Sequence, residues 1–211
     1  LGMSTLSRPP WHYGLTLIIG GAEGTLWDLT GMYAGLARRA MGEGGFRAPT
    51  YTAAEDGGAA AAADATGRGA VPGPGAAWLT LQALLEVERP GEEGAWRDYL
   101  TGKRIAWKTG TSYGFRDAWA LGVTPGHAVG VWVGNATGVG RAELRGATVA
   151  APLLFDVYDL LGATSRFSVP TADLEMARVC AKSGHLAGPH CEVVVTEVVT
   201  RAALESAVCP Y

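Results

Sequence analysis

The chain has 211 residues, of which 31 are glycine and 35 alanine, yet 48% are hydrophobic, only 18% are charged and seven are tryptophan. That balance excludes a disordered polyampholyte and supplies material for a core. A formal net charge of −3, with 17 basic residues against 20 acidic ones and no basic cluster, excludes the electrostatic basis of a nucleic-acid or anionic-membrane binder.

In chain order, Pro9-Pro10 marks a loop, and Tyr13 to Ile19 reads as a short buried apolar stretch stopped by Gly20-Gly21. It falls short of the ~20 apolar residues that span a bilayer, as does every other segment. Thr25 followed by Asp28 opens a helix in the manner of a capping box. Leu26, Leu29, Met32, Tyr33 and Leu36 then recur at helical spacing up to Arg38-Arg39, where positive charge suits a helix C-terminus. From Gly42 to Gly75 the glycines, the run Ala59 to Ala63 and Pro72-Gly73-Pro74-Gly75 offer little to bury, so a long mobile arm is expected. A second helix is expected over about Ala76 to Val87, with Trp78, Leu81, Leu84 and Leu85 on one face and Arg89-Pro90-Gly91 ending it.

Arg104 to Trp107 leads into Lys108-Thr109-Gly110-Thr111. Two apolar runs follow, Ala118 to Val123 and Ala128 to Val133, joined by Thr124-Pro125-Gly126-His127, a hairpin signal that predicts three adjacent antiparallel strands. A third helix, about Ala147 to Leu161, carries Val149, Pro152, Leu153, Phe155, Val157, Leu160 and Leu161 and is expected to pack on one sheet face. From Arg166 the chain turns polar, then places Cys180, Cys191 and Cys209 in what reads as a separate small module. The expected class is α+β: one unit over 1–165 with a mobile arm at 42–75, and a linker and module over 166–211.

The chemistry concentrates in Lys108-Thr109-Gly110-Thr111-Ser112. On a strand edge a lysine supplies a fixed positive charge, the alternate threonines Thr109 and Thr111 point the same way because strand periodicity is two, and Gly110 admits a ligand backbone closely. Together they make a carboxylate-binding rim.

Trp107 to Trp119, W-K-T-G-T-S-x-G-x-x-D-A-W, followed by Gly130-Val131-Trp132-Val133-Gly134-Asn135, resembles the third active-site motif and following strands of penicillin-binding proteins. Upstream, Tyr13-Gly14-Leu15, Gly20-Gly21-Ala22-Glu23 and Leu29-Thr30-x-x-Tyr33-Ala34 resemble the stretch between that family's second and third motifs. Cys180-x-x-Ser183-Gly184-x-x-Ala187-Gly188-Pro189-x-Cys191 resembles the start of the C-terminal module of the bifunctional 1C type. The resemblance implies a partial transpeptidase domain of the penicillin-binding-protein/β-lactamase-like fold over 1–165 and the start of a small β module over 166–211. The implied parent is a peptidoglycan synthase at the periplasmic face of the bacterial inner membrane, anchored by an N-terminal helix and carrying a glycosyltransferase. Its substrates would be D-Ala-D-Ala stem peptides, and β-lactams would bind it; no cofactor and no metal are implied.

By the same resemblance Lys108 would hold the proton network of a serine pair and attract the substrate carboxylate. Thr109 and Thr111 would hydrogen-bond that carboxylate, with Gly110 and Ser112 completing the binding strand, and the Thr111 backbone N–H would be an oxyanion-hole donor. The Ser-x-x-Lys and Ser-x-Asn motifs occur nowhere in the chain and are expected N-terminal to Leu1, both ends reading as cut. The piece alone should then form no acyl-enzyme and should aggregate or fold partially. Two other readings are a non-catalytic cell-wall-binding module and a fragment of a serine D,D-carboxypeptidase or β-lactamase; the cysteine-containing tail argues against the second.

Arg116 and Asp117 read as a turn salt bridge, and Trp119 and Trp132 as core. His12, His127 and Glu23 read as residues without a catalytic role. Cys180, His185, His190, Cys191 and Cys209 include enough ligands for zinc, although no C-x-x-C pair occurs. The alternative is a Cys180–Cys191 disulfide, which the oxidising compartment implied by the resemblance favours; Cys209 would then be odd.

Overall fold

A computed structural model describes residues 3–46, 49, 71–87, 104–162 and 165–210. Most of the expected mobile arm, and the Arg89-Pro90-Gly91 stop, lie outside the described residues.

The architecture is α+β, with helices on both faces of an antiparallel sheet. Strands β1 (Ala106–Thr111), β2 (Asp117–Val123) and β3 (Ala128–Gly134) pair in the order β1-β2-β3, as the two apolar runs and the intervening turn predict. The register sets Trp107 opposite Gly122, Thr111 opposite Ala118 and Trp119 opposite Trp132. The β2–β3 turn closes through Thr124, whose backbone N–H donates to the His127 carbonyl at 2.8 Å.

One face of the sheet is covered by α2 (Leu26–Ala40) and α3 (Pro74–Leu85). The Thr25 hydroxyl accepts the Asp28 N–H at 3.0 Å, so the predicted N-terminus of α2 is capped by the predicted residue. The side of α2 that is fully buried carries Gly31, Gly35, Ala37 and Ala40 rather than large side chains. Pro49 lies over Gly31 and Phe46 over Gly35, where a Cβ would collide with their rings. Ala37 and Ala40 join Ala77, Leu81, Leu85, Ala106, Val123 and Phe167 in one core, with Tyr33 and Leu36 packed at its margin.

The opposite face is covered by α4 (Ala151–Leu161), entered through a π-helical turn, Gly146–Ala150. Here Ala118, Ala120, Ala150 and Ala151 bring backbone layers close, and Leu154, Tyr158, Ile105 and Trp107 fill the space between them. The helix rests on a narrow stripe, Ala151, Leu154 and Tyr158, at the i, i+3, i+7 spacing. Of the other apolar residues on this helix, Leu153, Val157, Leu160 and Leu161 face outward, Leu160 being 88% exposed. The apolar residues of this helix exceed what one sheet face can cover.

Two further expectations are corrected. Tyr13 to Ile19 is not a buried stretch: a single helical turn α1 (Pro10–Tyr13) continues as a 3₁₀ turn, Gly14–Ile19, and Leu15, Ile18 and Ile19 are 86%, 83% and 86% exposed. A tight turn of this length presents its apolar side chains around its circumference, and neither core cluster includes it. The second helix begins at Pro74, not Ala76, so Pro74 and Gly75 belong to helix rather than arm. Pro at the first helical position is preorganised for it.

Residues 166–210 add a β-hairpin, β4 (Leu174–Cys180) with β5 (Val194–Thr200), followed by a 3₁₀ turn, Arg201–Glu205. Contacts with the helices tie this stretch down. Phe167 is buried in the α2–α3 core, and the Asp173 carboxylate accepts the Gly75 N–H at 2.7 Å. Gly73, the residue at the α3 N-cap, has no side chain with which to cap the helix. Asp173 supplies the missing acceptor from 98 residues away and places negative charge at the positive end of the helix.

Candidate functional site

Lys108-Thr109-Gly110-Thr111 lies on β1, an edge strand among the described residues. The Ser112 N–H donates to the Asp117 carbonyl at 2.9 Å. In an antiparallel ladder the bonded pairs alternate, so Lys108 and Gly110 exchange backbone bonds with β2. The N–H and C=O groups of Thr109 and Thr111 therefore turn to the open edge. The side chains alternate as well. Trp107 packs edge-on against Phe155 of α4, with ring centroids 4.9 Å apart. Thr109 and Thr111 share its side of the sheet, while Lys108 and Gly110 lie on the α2 side. The lysine and the two threonine side chains thus flank the strand from opposite faces and meet only at its edge.

Lys108 is exposed, and its Nζ donates to the Thr109 carbonyl at 2.8 Å, folding the ammonium back along the open edge. The Thr111 hydroxyl oxygen accepts the Gly146 N–H at 2.9 Å, which leaves its O–H as a donor. Gly110 leaves the strand uncovered above it apart from Trp119, whose Cβ would stand 3.6 Å from a methyl placed on this glycine. Ser112 is differently employed: its Oγ accepts the Asp117 N–H at 2.8 Å and closes the β1–β2 turn. That turn includes Gly114 at φ +76° and Phe115 at φ +53°, with the Arg145 guanidinium 5.4 Å from the Phe115 ring centroid.

Asp117 forms no ion pair with Arg116 among the described residues; its carboxylate accepts the Trp132 indole N–H at 3.0 Å. Trp132 is exposed and Trp119 half-buried, so neither is core. Their rings stand 6.4 Å apart as a cross-strand pair on the Lys108 side of the sheet. Nothing local in the sequence marks Gly146 as part of the site. A Cβ there would stand 2.5 Å from the Gly110 carbonyl oxygen and 2.6 Å from that of Trp119; only glycine lets the π-helical turn reach Thr111.

In the C-terminal stretch the three cysteines converge. Their Sγ atoms all lie within 4.8 Å of one another, and none is in a disulfide. Cys180 ends β4, Cys191 follows the Gly188-Pro189 turn, and Cys209 is drawn in by its N–H, which donates to the Leu186 carbonyl at 2.8 Å. Hydrogen bonds from the Ser183 side chain, then from the Ser183 and Lys182 backbones, hold the Cys180 thiol down at about 6, whereas burial pushes Cys191 up. His185 and His190 are exposed and stand outside the cluster.

An antiparallel sheet between helical layers, with Lys-Thr-Gly-Thr on its edge strand, is compatible with part of a penicillin-binding-protein or β-lactamase-like domain. No protein-family model matches the chain. It is 32% identical over 147 residues to penicillin-binding protein 1C of Escherichia coli strain K12, an alignment covering 70% of this chain and 17% of that protein. The similarity supports a relationship to the penicillin-binding proteins, and the aligned stretch spans about a sixth of the relative's length.

Proposed function

We propose that the chain is the Lys-Thr-Gly-bearing part of a penicillin-binding D,D-transpeptidase unit of a peptidoglycan synthase. The observation that carries this reading is β1 itself: an edge strand whose Thr109 and Thr111 backbone groups face outward, with the exposed Lys108 ammonium along the same edge. The similarity to penicillin-binding protein 1C supports it.

In this reading a serine hydroxyl from a segment preceding the chain attacks the carbonyl of a D-Ala-D-Ala stem peptide. Its proton passes through the network that Lys108 holds, an acyl ester forms, and D-alanine leaves. The Thr111 N–H donates to the developing oxyanion, and Lys108 with the Thr109 and Thr111 hydroxyls receives the terminal carboxylate. β-Lactams enter by the same attack and remain as the acyl ester. The unit works at the periplasmic face of the inner membrane, in a parent that also carries the glycosyltransferase, and the 211 residues alone form no acyl-enzyme. Among the described residues no helix is long and apolar enough to cross a membrane.

The test is the coding sequence immediately upstream of Leu1. In-frame Ser-x-x-Lys and Ser-x-Asn are expected there, and an upstream reading frame with neither would overturn the proposal.

A further inference from the structure

We propose that Cys180, Cys191 and Cys209 form a thiolate site for a zinc-class divalent cation, which fastens the β4–β5 hairpin to the C-terminal segment. The sequence spacing argues against a metal, because no C-x-x-C pair is present, and the resemblance favours a two-cysteine bridge. The fold removes that objection by bringing three sulfurs together from three separate segments, within 4.8 Å of one another. Three thiolates on a tetrahedral zinc, with bonds of about 2.3 Å, would stand about 3.8 Å apart, so small side-chain rotations close the site. A disulfide would use two of the sulfurs and leave the third against the bridge with no partner.

The surroundings suit thiolates. Gly188 N–H donates to Cys191 Sγ at 3.3 Å and the Ser183 hydroxyl donates to Cys209 Sγ at 3.2 Å. Two of the three sulfurs therefore accept a hydrogen bond, support of the kind that orients metal-bound thiolates. The backbone is built around the site too: Gly184 takes φ +73° to turn the chain back after Cys180, and a Cβ on Gly188 would lie 3.0 Å from the Cys209 carbonyl. An ion pair between Lys182 and Glu192 closes the two loops over one another. Binding releases the thiol protons to solvent, and water or another donor takes the fourth corner.

The experiment uses the whole 211-residue chain, purified under reducing conditions and stripped of metal. One equivalent of cobalt(II) should produce thiolate-to-cobalt charge transfer and the visible bands of a tetrahedral ion. Zinc should displace it one for one and protect three thiols from a disulfide reagent. Cys209→Ser should lose about a third of the charge-transfer intensity and bind at least tenfold more weakly. Should that variant fail to fold, the wild-type cobalt spectrum and thiol count decide alone. A fully reduced chain that takes up no cobalt would overturn the proposal. So would chain isolated without reductant that carries a Cys180–Cys191 cross-link, one free thiol and no zinc.

Discussion

Replacing Gly146 by alanine tests how the helical layer is seated on the candidate strand. The new methyl would stand 2.5 Å from the Gly110 oxygen and 2.6 Å from the Trp119 oxygen, both backbone atoms of paired strands that cannot swing aside. Restoring ordinary contact requires the π-helical turn to move off the sheet by roughly 1 Å. The 2.9 Å bond from Gly146 N–H to Thr111 Oγ1 would then stretch beyond hydrogen-bonding range. Overpacking costs about 1–3 kcal/mol and the lost bond about 0.5–1.5 kcal/mol, so about 1.5–4.5 kcal/mol together. With a urea m-value of ~2 kcal/mol/M the unfolding midpoint falls by about 1–2 M. The assay is urea titration followed by tryptophan fluorescence at low protein concentration, Trp107 and Trp119 lying on the affected strands. Gly126→Ala is the control, since nothing lies within 4 Å of a Cβ there. A Gly146→Ala midpoint matching that control would refute the seating argument.

Asp173→Ala should cost about 1 kcal/mol by removing the acceptor that caps α3, and Asp173→Asn, which keeps an oxygen at the Gly75 N–H, should cost less; equal urea midpoints for all three chains would refute the capping role. The Asp28 carboxyl, which accepts both the hydroxyl and the N–H of Ser4 at 2.6 and 3.0 Å, is held below its ordinary value, chiefly by the Ser4 side chain. A depressed carboxylate stabilises the fold above its unfolded pKa and ceases to as pH falls through the folded one. The Ser4–Asp28 tie should therefore release only in acid below the ordinary carboxylate range. In an NMR titration Ser4→Ala should raise the Asp28 midpoint, and an unshifted midpoint would contradict the assignment.

The three strands and the N-terminus of α2 are legible because each is written locally: alternating or continuous apolar runs bounded by Pro125-Gly126, and a capping threonine three residues before Asp28. What is not legible depends on the partner surface. The apolar stretch Leu15 to Ile19 has the composition of a buried strand, but burial requires a neighbour that composition does not encode. Hydrophobicity alone does not pick the buried side of α4: Leu153, Val157 and Leu160 are exposed, whereas the sheet accepts the smaller Ala151 and the stripe through Leu154 and Tyr158. The alanines, which in sequence suggest only a mobile arm, also form much of the contact between layers, as Ala77, Ala106, Ala118, Ala120 and Ala150 do. At the site the Lys-Thr-Gly run is visible as a motif. The close approach of Gly146 is not, because it joins positions 35 residues apart, and the meeting of three cysteines likewise depends on the pairing of β4 with β5.

Under the proposed function β1 serves a penicillin-binding site through Lys108. Fluorescent penicillin is offered to the chain joined to the segment proposed to precede Leu1, comparing wild type with Lys108→Ala. Covalent labelling of the wild type is expected, slowed on the order of 10²–10⁴-fold by the substitution, with no labelling of the 211-residue chain alone. Equal labelling of the Lys108→Ala protein, or an adduct on the 211-residue chain, would contradict it.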